Sequence, residues 1–162
     1  MKFGLTGDTH NNLKSIRKIC SIFNSSKVDF VVHTGDITLP KSLEMFSELE
    51  SPLIGVFGNN DQGDKDELRK VSILNGFDFC DGLREECIDE KKIIIVHDPN
   101  DIDESFYFNE SIIVHGHTHR YRDEKKGNSQ IFNPGECAGM FEGKNSIGIV
   151  SLEKSRMEIL KF

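Results

Sequence analysis

The chain has 162 residues, 36% of them hydrophobic and 29% charged, a balance that suits one folded core and argues against two domains. Its formal charge of -7 excludes a general nucleic-acid binder, which needs a basic surface to displace counterions. No apolar run approaches a membrane span, and the apolar stretch ahead of the first carboxylate is too short for a secretory leader, so a cytoplasmic protein is expected.

Lys2 to Thr6 reads as a buried strand, after which Leu13, Ile16, Cys20 and Phe23 recur at helical spacing with Lys14, Arg17 and Lys18 facing away. Val28 to Asp36 reads as a second strand, and Pro40 suits the first turn of a helix with Leu39, Leu43 and Phe46 on one face. Pro52 to Asp61 reads as a third strand and loop, followed by a helix carrying Leu68, Val71 and Leu74 that Gly76 is expected to stop. Three such units imply parallel strands joined by right-handed crossovers. Beyond Gly76 short runs follow without long helices: Phe77 to Cys80, Glu86 to Asp89, Ile93 to Val96, Ser111 to His115, Gln130 to Asn133, Gly148 to Leu152 and Arg156 to Leu160. The last two read as a hairpin across "EKS". The charged stretches "EKK" at 90–92 and "RDEKK" at 122–126 read as solvated loops, with Arg120 and Arg122 near enough to "GHTH" to touch a substrate. The expected fold is α/β: a mixed sheet facing a second sheet, with helices outside, in a single domain spanning 1–162.

Four cysteines, Cys20, Cys80, Cys87 and Cys137, form no C-x-x-C pair and are expected to be reduced and mostly buried. The polar residues are more telling, because they gather where strands end. Asp8 and His10 follow the first strand, Asp36 the second and Asn59 the third; "IIIVHD" delivers His97, and "IIVHGHTH" delivers His117 and His119. Ligands of open α/β sheets bind at the carboxyl ends of the strands. Two Asp, one Asn and four His supply oxygen and imidazole donors without a thiolate, a set suited to Mn, Fe, Ni, Co or Zn. Seven donors exceed the need of one tetrahedral zinc, and two metals sharing a carboxylate fit better. The glycines before Asp36, Asn59 and His117 permit the tight turns such convergence needs.

"GDTH" at Gly7, "GD" at Gly35, "GNND" at Gly58, His97 and "GHTH" at Gly116 resemble, in order, the five motif blocks of the calcineurin-like metallophosphoesterases. The small size resembles the family's compact bacterial and archaeal phosphodiesterase branch, and the likeness runs from Asp8 to about Gly135. The resemblance implies a four-layer α/β/β/α sandwich of two mixed sheets flanked by helices, and two divalent transition-metal ions, with Mn2+ the first choice for assay and Ni2+, Fe2+, Co2+ or Zn2+ open. It implies Asp8, His10 and His119 on one ion, Asn59, His97 and His117 on the other, and Asp36 between them. A hydroxide bridging the ions would attack the phosphate ester in line. Asp36 and Asn59 would then serve catalysis, and Asn59 and Asn60 would face the substrate. Many members carry a His at the position of Asn60 to protonate the leaving group, and Asn60 has no such proton to give.

Near these motifs, His33 and His115 are expected to support ligands rather than act as ligands. Asp61 either orients a ligand or caps the next helix, and Asn133 in "NPGE" is expected to make a turn. Asp64, Asp66 and Glu67 complement a helix N-terminus. The leading function is a metal-dependent phosphodiesterase acting on a small phosphate ester. The alternatives are a phosphomonoesterase and a non-catalytic interaction module on the same fold; a protein partner or homo-oligomer is open. A hydrolase with a side-chain nucleophile lacks support, since neither G-x-S-x-G nor C-x5-R occurs.

Overall fold

β1 (Lys2–Thr6), β2 (Phe30–His33), β3 (Leu53–Val56) and β4 (Asp78–Cys80) lie side by side and parallel in the computed structural model, which describes residues 1–140 and 143–162. β10 (Ser146–Ser151) adds antiparallel to β1, and β11 (Arg156–Lys161) closes a hairpin with it, giving the order β11-β10-β1-β2-β3-β4. The second sheet comprises β5 (Arg84–Ile88), β6 (Lys91–Val96), β7 (Ile112–His115), β8 (Arg122–Lys126) and β9 (Ser129–Asn133), in the order β5-β6-β7-β9-β8. Both sheets are mixed, as expected.

Alternation along the strands builds the layers. Phe3 and Leu5 of β1 and Val32 of β2 meet Ile93, Ile95, Val114 and Phe132 of the second sheet in a buried middle layer. On the other face of the first sheet, Val31, Leu53 and Ile147 pack under Ile16, Ile19 and Phe23 of α1 (Leu13–Ser26) and Leu68 of α3 (Lys65–Asn75). The outer face of the second sheet, with Ile94, Val96, Ile113 and Ile131, is covered by Ile102 and Tyr107. Tyr107 lies in one of two short 3-10 turns, Pro99–Asp101 and Glu104–Phe108, with Ile102 between them, so this fourth layer is thinner than a pair of α-helices.

Local signals act as their chemistry dictates. Asn12 caps α1 by accepting from the Ser15 amide at 3.0 Å, and Gly76 ends α3 with φ at 69°. The Pro40 helix, α2, spans only Pro40–Glu44 before tightening into a 3-10 turn at Met45–Glu48. Four expectations need correction. "EKK" at 90–92 is only partly loop, since Lys91 and Lys92 open β6 and pair with Ile88 and Cys87 of β5, backbone pairing that their charged side chains do not signal. Leu74 is 83% exposed, because steps of three along a 3.6-residue period carry it away from the face shared by Leu68 and Val71. "RDEKK" is β8, paired antiparallel to β9 from Arg122–Asn133 to Lys126–Ser129. It is an edge strand whose charges face solvent and discourage pairing with another chain. All four cysteines are free, yet only Cys20 and Cys137 are buried; Cys87, on the edge strand β5, is exposed. No helix among the described residues is long and apolar enough to cross a membrane.

Candidate metal centre

The loops after β1, β2, β3, β6 and β7 carry all seven expected donors, and the backbone ties these loops together. The Asp8 amide donates to Gly35 O at 2.8 Å, the His10 amide to Asp36 O at 2.9 Å, and the Gly116 amide to His97 O at 3.1 Å. The His117 amide donates to Asp8 Oδ1 at 3.0 Å, joining the first sheet to the second. Asp8, His10, Asp36, His117 and His119 all take left-handed backbone, with φ between 46° and 66°. Each such residue costs about 1 to 3 kcal/mol and persists only where the surroundings impose it. Gly35, with φ at 100°, is required outright: a Cβ there would stand 2.7 Å from the Gly58 nitrogen.

The donors form two clusters. Asp8, His10 and His119 place their ligand atoms within 4.8 Å of one another, and so do Asp8, Asp36 and His97. Asp8 is fully buried, and its Oδ2 has no hydrogen-bond partner, nor has His10 Nε2. Burial pushes the Asp8 carboxyl above its ordinary range, opposed first by His119 and then by His97. Around the second cluster, His97 Nδ1 lies 2.9 Å from Thr34 O, an acceptor, so Nδ1 holds the proton and Nε2 presents a lone pair. That lone pair lies 2.8 Å from Asn59 Oδ1 and 3.2 Å from His117 Nδ1. Orphaned buried acceptors and facing lone pairs, all oxygen or imidazole, fit divalent cations.

Asn60 lies at the centre's edge. Its backbone amide donates to Asp36 Oδ1 at 2.9 Å and its side-chain amide to Asp36 Oδ2 at 2.7 Å, so it holds the carboxylate. Asp61 is fully buried and accepts four backbone amides: Asp36 at 3.0 Å and Ile37, Thr38 and Gly58 at 2.7 Å each. Burial raises its carboxyl, against the opposing pull of the Gly58, Thr38 and Ile37 amides. Both roles considered for it are met: three of these bonds hold the Asp36 loop, and the fourth, from Gly58, caps the 3-10 turn Asn59–Asp64 that leads into α3. Asn133 accepts from the Gly135 amide at 2.8 Å in the expected turn, and also donates to Gly116 O at 3.0 Å, bracing the "GHTH" loop.

Glu136 had no place in the reading of the sequence. Its Oε2 lies 2.6 Å from His119 Nδ1, and the residue is 9% exposed. The available signal was a carboxylate set among small and apolar neighbours in "PGECAG".

His33 and His115 are buried and neutral. His33 Nδ1 accepts from the Gly35 amide at 3.1 Å, which leaves Nε2–H to donate to Thr9 Oγ1 at 3.0 Å; the ring thereby joins the first two ligand loops. Burial pushes His33 down to about 3 and His115 to about 4. Unfolding lets both rings take up protons near 6.5, so their contribution is present above that pH and is lost as pH falls toward 3. Between pH 7 and 4.5 the His33 share of the loss is roughly 3 kcal/mol. Urea unfolding of the metal-free protein at both pH values is expected to show a smaller difference for His33→Gln than for the unmodified chain. Equal differences would mean that His33 is protonated in the folded state.

Comparison with known proteins agrees with this geometry. A phosphodiesterase of Methanocaldococcus jannaschii is 33% identical over 161 residues, covering 95% of each chain. A structure described as that of a novel archaeal phosphodiesterase superposes with a TM-score of 0.89 at 31% identity, over 100% of both chains. A phosphoesterase of E. coli, at 20% identity and a TM-score of 0.71 over 99% of this chain and 98% of its own, shares the fold. The family model for the calcineurin-like phosphoesterase superfamily domain matches residues 1–155. With the five motif blocks meeting at one end of two stacked sheets, the chain belongs to the calcineurin-like phosphoesterase superfamily.

Proposed function

We propose that the 162 residues act as a single metallophosphoesterase domain whose reaction is hydrolysis of a small phosphodiester. The observation that carries this reading is the pair of clusters, Asp8–His10–His119 and Asp8–Asp36–His97, with Asn59 and His117 against His97, and with Asp8 Oδ2 and His10 Nε2 buried without partners. The diester preference draws on the phosphodiesterase relatives. A non-catalytic module would need none of these donors. The free cysteines support a reducing, cytoplasmic setting.

In this reading Asp8, His10 and His119 hold one divalent ion, and Asn59, His97 and His117 the other. Asp36 is the shared carboxylate, and Asp8 stands close to both groups. Manganese is the first choice, with nickel, iron, cobalt and zinc compatible with the same donors. Bound there, the ions supply Lewis acidity toward the phosphoryl oxygens and lower the pKa of water. The chain's own part is positional. Asn60 fixes Asp36 through two hydrogen bonds, Thr34 O sets the His97 tautomer, and Asn59 stands beside both imidazoles where a phosphoryl oxygen would enter. One N–H of the Asn60 amide is given to Asp36, while the exposed remainder of the side chain is left to face the substrate; an amide has no proton for the leaving oxygen.

The two sides of the centre differ in charge. A cavity of about 590 Å³ beside His119 is lined by Arg120 and Lys161 together with Glu136, which is turned to His119, whereas one of about 280 Å³ beside His97 is lined by Asp98 and Asp101. This polarity favours a diester whose second substituent is anionic and lies on the His119 side.

The test is to strip the metals and reconstitute with Mn2+, Ni2+, Zn2+ or Mg2+. Bis(4-nitrophenyl) phosphate is expected to turn over at least ~10-fold faster than 4-nitrophenyl phosphate, in keeping with the phosphodiesterase relatives, and ~10²- to 10⁴-fold faster than alkyl diesters, whose poor leaving groups lack acid help. Faster monoester cleavage would make the protein a phosphomonoesterase. No turnover with any ion would favour the non-catalytic module.

A further inference from the structure

The two ligand groups differ in what stands behind their imidazoles. His119 Nδ1 lies 2.6 Å from Glu136 Oε2, and a carboxylate can only accept, so Nδ1 carries the proton. His119 Nε2 is then a lone pair lying 3.8 Å from Asp8 Oδ1. Glu136 is itself held: its Oε1 accepts from the Met140 amide at 3.5 Å and its backbone carbonyl from the Ser146 amide at 2.7 Å. In the other group, His97 Nδ1 donates to a neutral carbonyl, Thr34 O. His117 turns Nδ1 toward Asn59 and leaves Nε2 3.7 Å from Asp98, on a side chain that is 40% exposed.

The carboxylates differ in the same sense. Asp8, assigned to the first ion, keeps Oδ2 free of any hydrogen bond, whereas the second ion has no carboxylate besides the shared Asp36, whose two oxygens both accept from Asn60. A carboxylate behind a ligating imidazole fixes its tautomer and raises its basicity, and losing such a partner typically costs ~10- to 100-fold in metal affinity. A neutral carbonyl gives orientation with less charge.

We infer that Glu136 is a positioning residue that makes the Asp8, His10 and His119 site the tighter of the two, so that the ions load in a fixed order. This rests on the ligand assignment proposed above. It follows that one ion stays on the protein when the second has been lost, and that the second site governs how the enzyme responds to metal supply.

Calorimetric titration of metal-stripped protein with Mn2+, paired with Co2+ visible spectra, tests the inference without an activity assay. The unmodified chain is expected to fill in two resolved steps at least ~10-fold apart. Asn59→Ala is expected to remove only the weaker step. In that background Glu136→Gln is expected to weaken the remaining step by ~10- to 100-fold and shift the Co2+ bands, whereas Glu136→Asp, which keeps the charge, restores most of the affinity. Two steps of equal affinity in the unmodified chain, or an unchanged tight step in Glu136→Gln, would overturn the inference. So would equal losses in the Gln and Asp variants, which would assign the effect to the backbone of the 136–140 turn. Absence of metal binding by the unmodified chain would instead remove the ligand assignment beneath it.

Discussion

Asp8→Asn is expected to lower kcat/KM for bis(4-nitrophenyl) phosphate by ~10³-fold or more and, at the same time, to raise the stability of the metal-free protein. The first effect follows from the place of Asp8 in both donor clusters. A bound divalent ion contributes several kcal/mol to transition-state stabilisation, and each 1.36 kcal/mol is about tenfold in rate. The second follows from burial. Asp8 is fully buried, its Oδ2 lacks a partner, and burial raises its pKa, so at neutral pH the folded metal-free state bears the cost of a carboxylate that cations would otherwise offset. An amide in its place carries no charge and tolerates the left-handed backbone at φ 49°. The gain is expected to be about 1 to 3 kcal/mol in urea unfolding. A variant that lost stability without metal would show that Asp8 serves the fold rather than the ions.

Asp61→Ala is expected to produce the largest loss of stability among the residues around the centre. Its carboxylate accepts the amides of Asp36, Ile37, Thr38 and Gly58, and each buried amide left unsatisfied costs about 1 to 3 kcal/mol. The expected loss is about 4 kcal/mol or more, a large share of the ~5 to 15 kcal/mol that a domain of this size possesses. Asp61→Asn keeps one accepting oxygen and sets an NH2 group against two amides, so it is expected to fall between. The second consequence is local: without Asp61 the left-handed turn at Asp36 and Thr38 keeps only the His10 amide on Asp36 O and the Asn60 bonds to the Asp36 carboxylate, and metal stoichiometry measured at a fixed ion concentration is expected to drop. A loss below about 1 kcal/mol would mean that water replaces the carboxylate.

The fold and the polar residues at the strand ends were legible because both are written locally. A parallel strand buried on both faces is a continuous apolar run, and the residue that ends it is the first one free to be polar. Asp8, Asp36, Asn59, His97 and His117 are therefore found one to three positions past the ends of the runs. Helix boundaries are equally local, as the Asn12 cap at the start of α1 and the Gly76 stop of α3 show. β8 was hidden for the opposite reason. Strand formation at "RDEKK" comes from backbone pairing with β9, and its charged side chains carry only the signature of solvent. The outer layer over β6 and β7 was hidden because 3-10 turns lack the length to show a period.

By itself, then, the sequence determined which residues stand at strand ends, and with them the donor types and the chemistry those donors allow. Tertiary structure alone decided how the donors are supported. Glu136 reaches His119 across 17 positions, Asp61 reaches the Asp36 turn across 25, and Asn60 closes on Asp36 across 24. Hydrogen bonds need heavy atoms within about 3 Å and a particular direction, and no spacing along the chain encodes that for residues in separate loops. Periodicity reports burial, which is a property of one segment; orientation is a property of two segments once packing has brought them together.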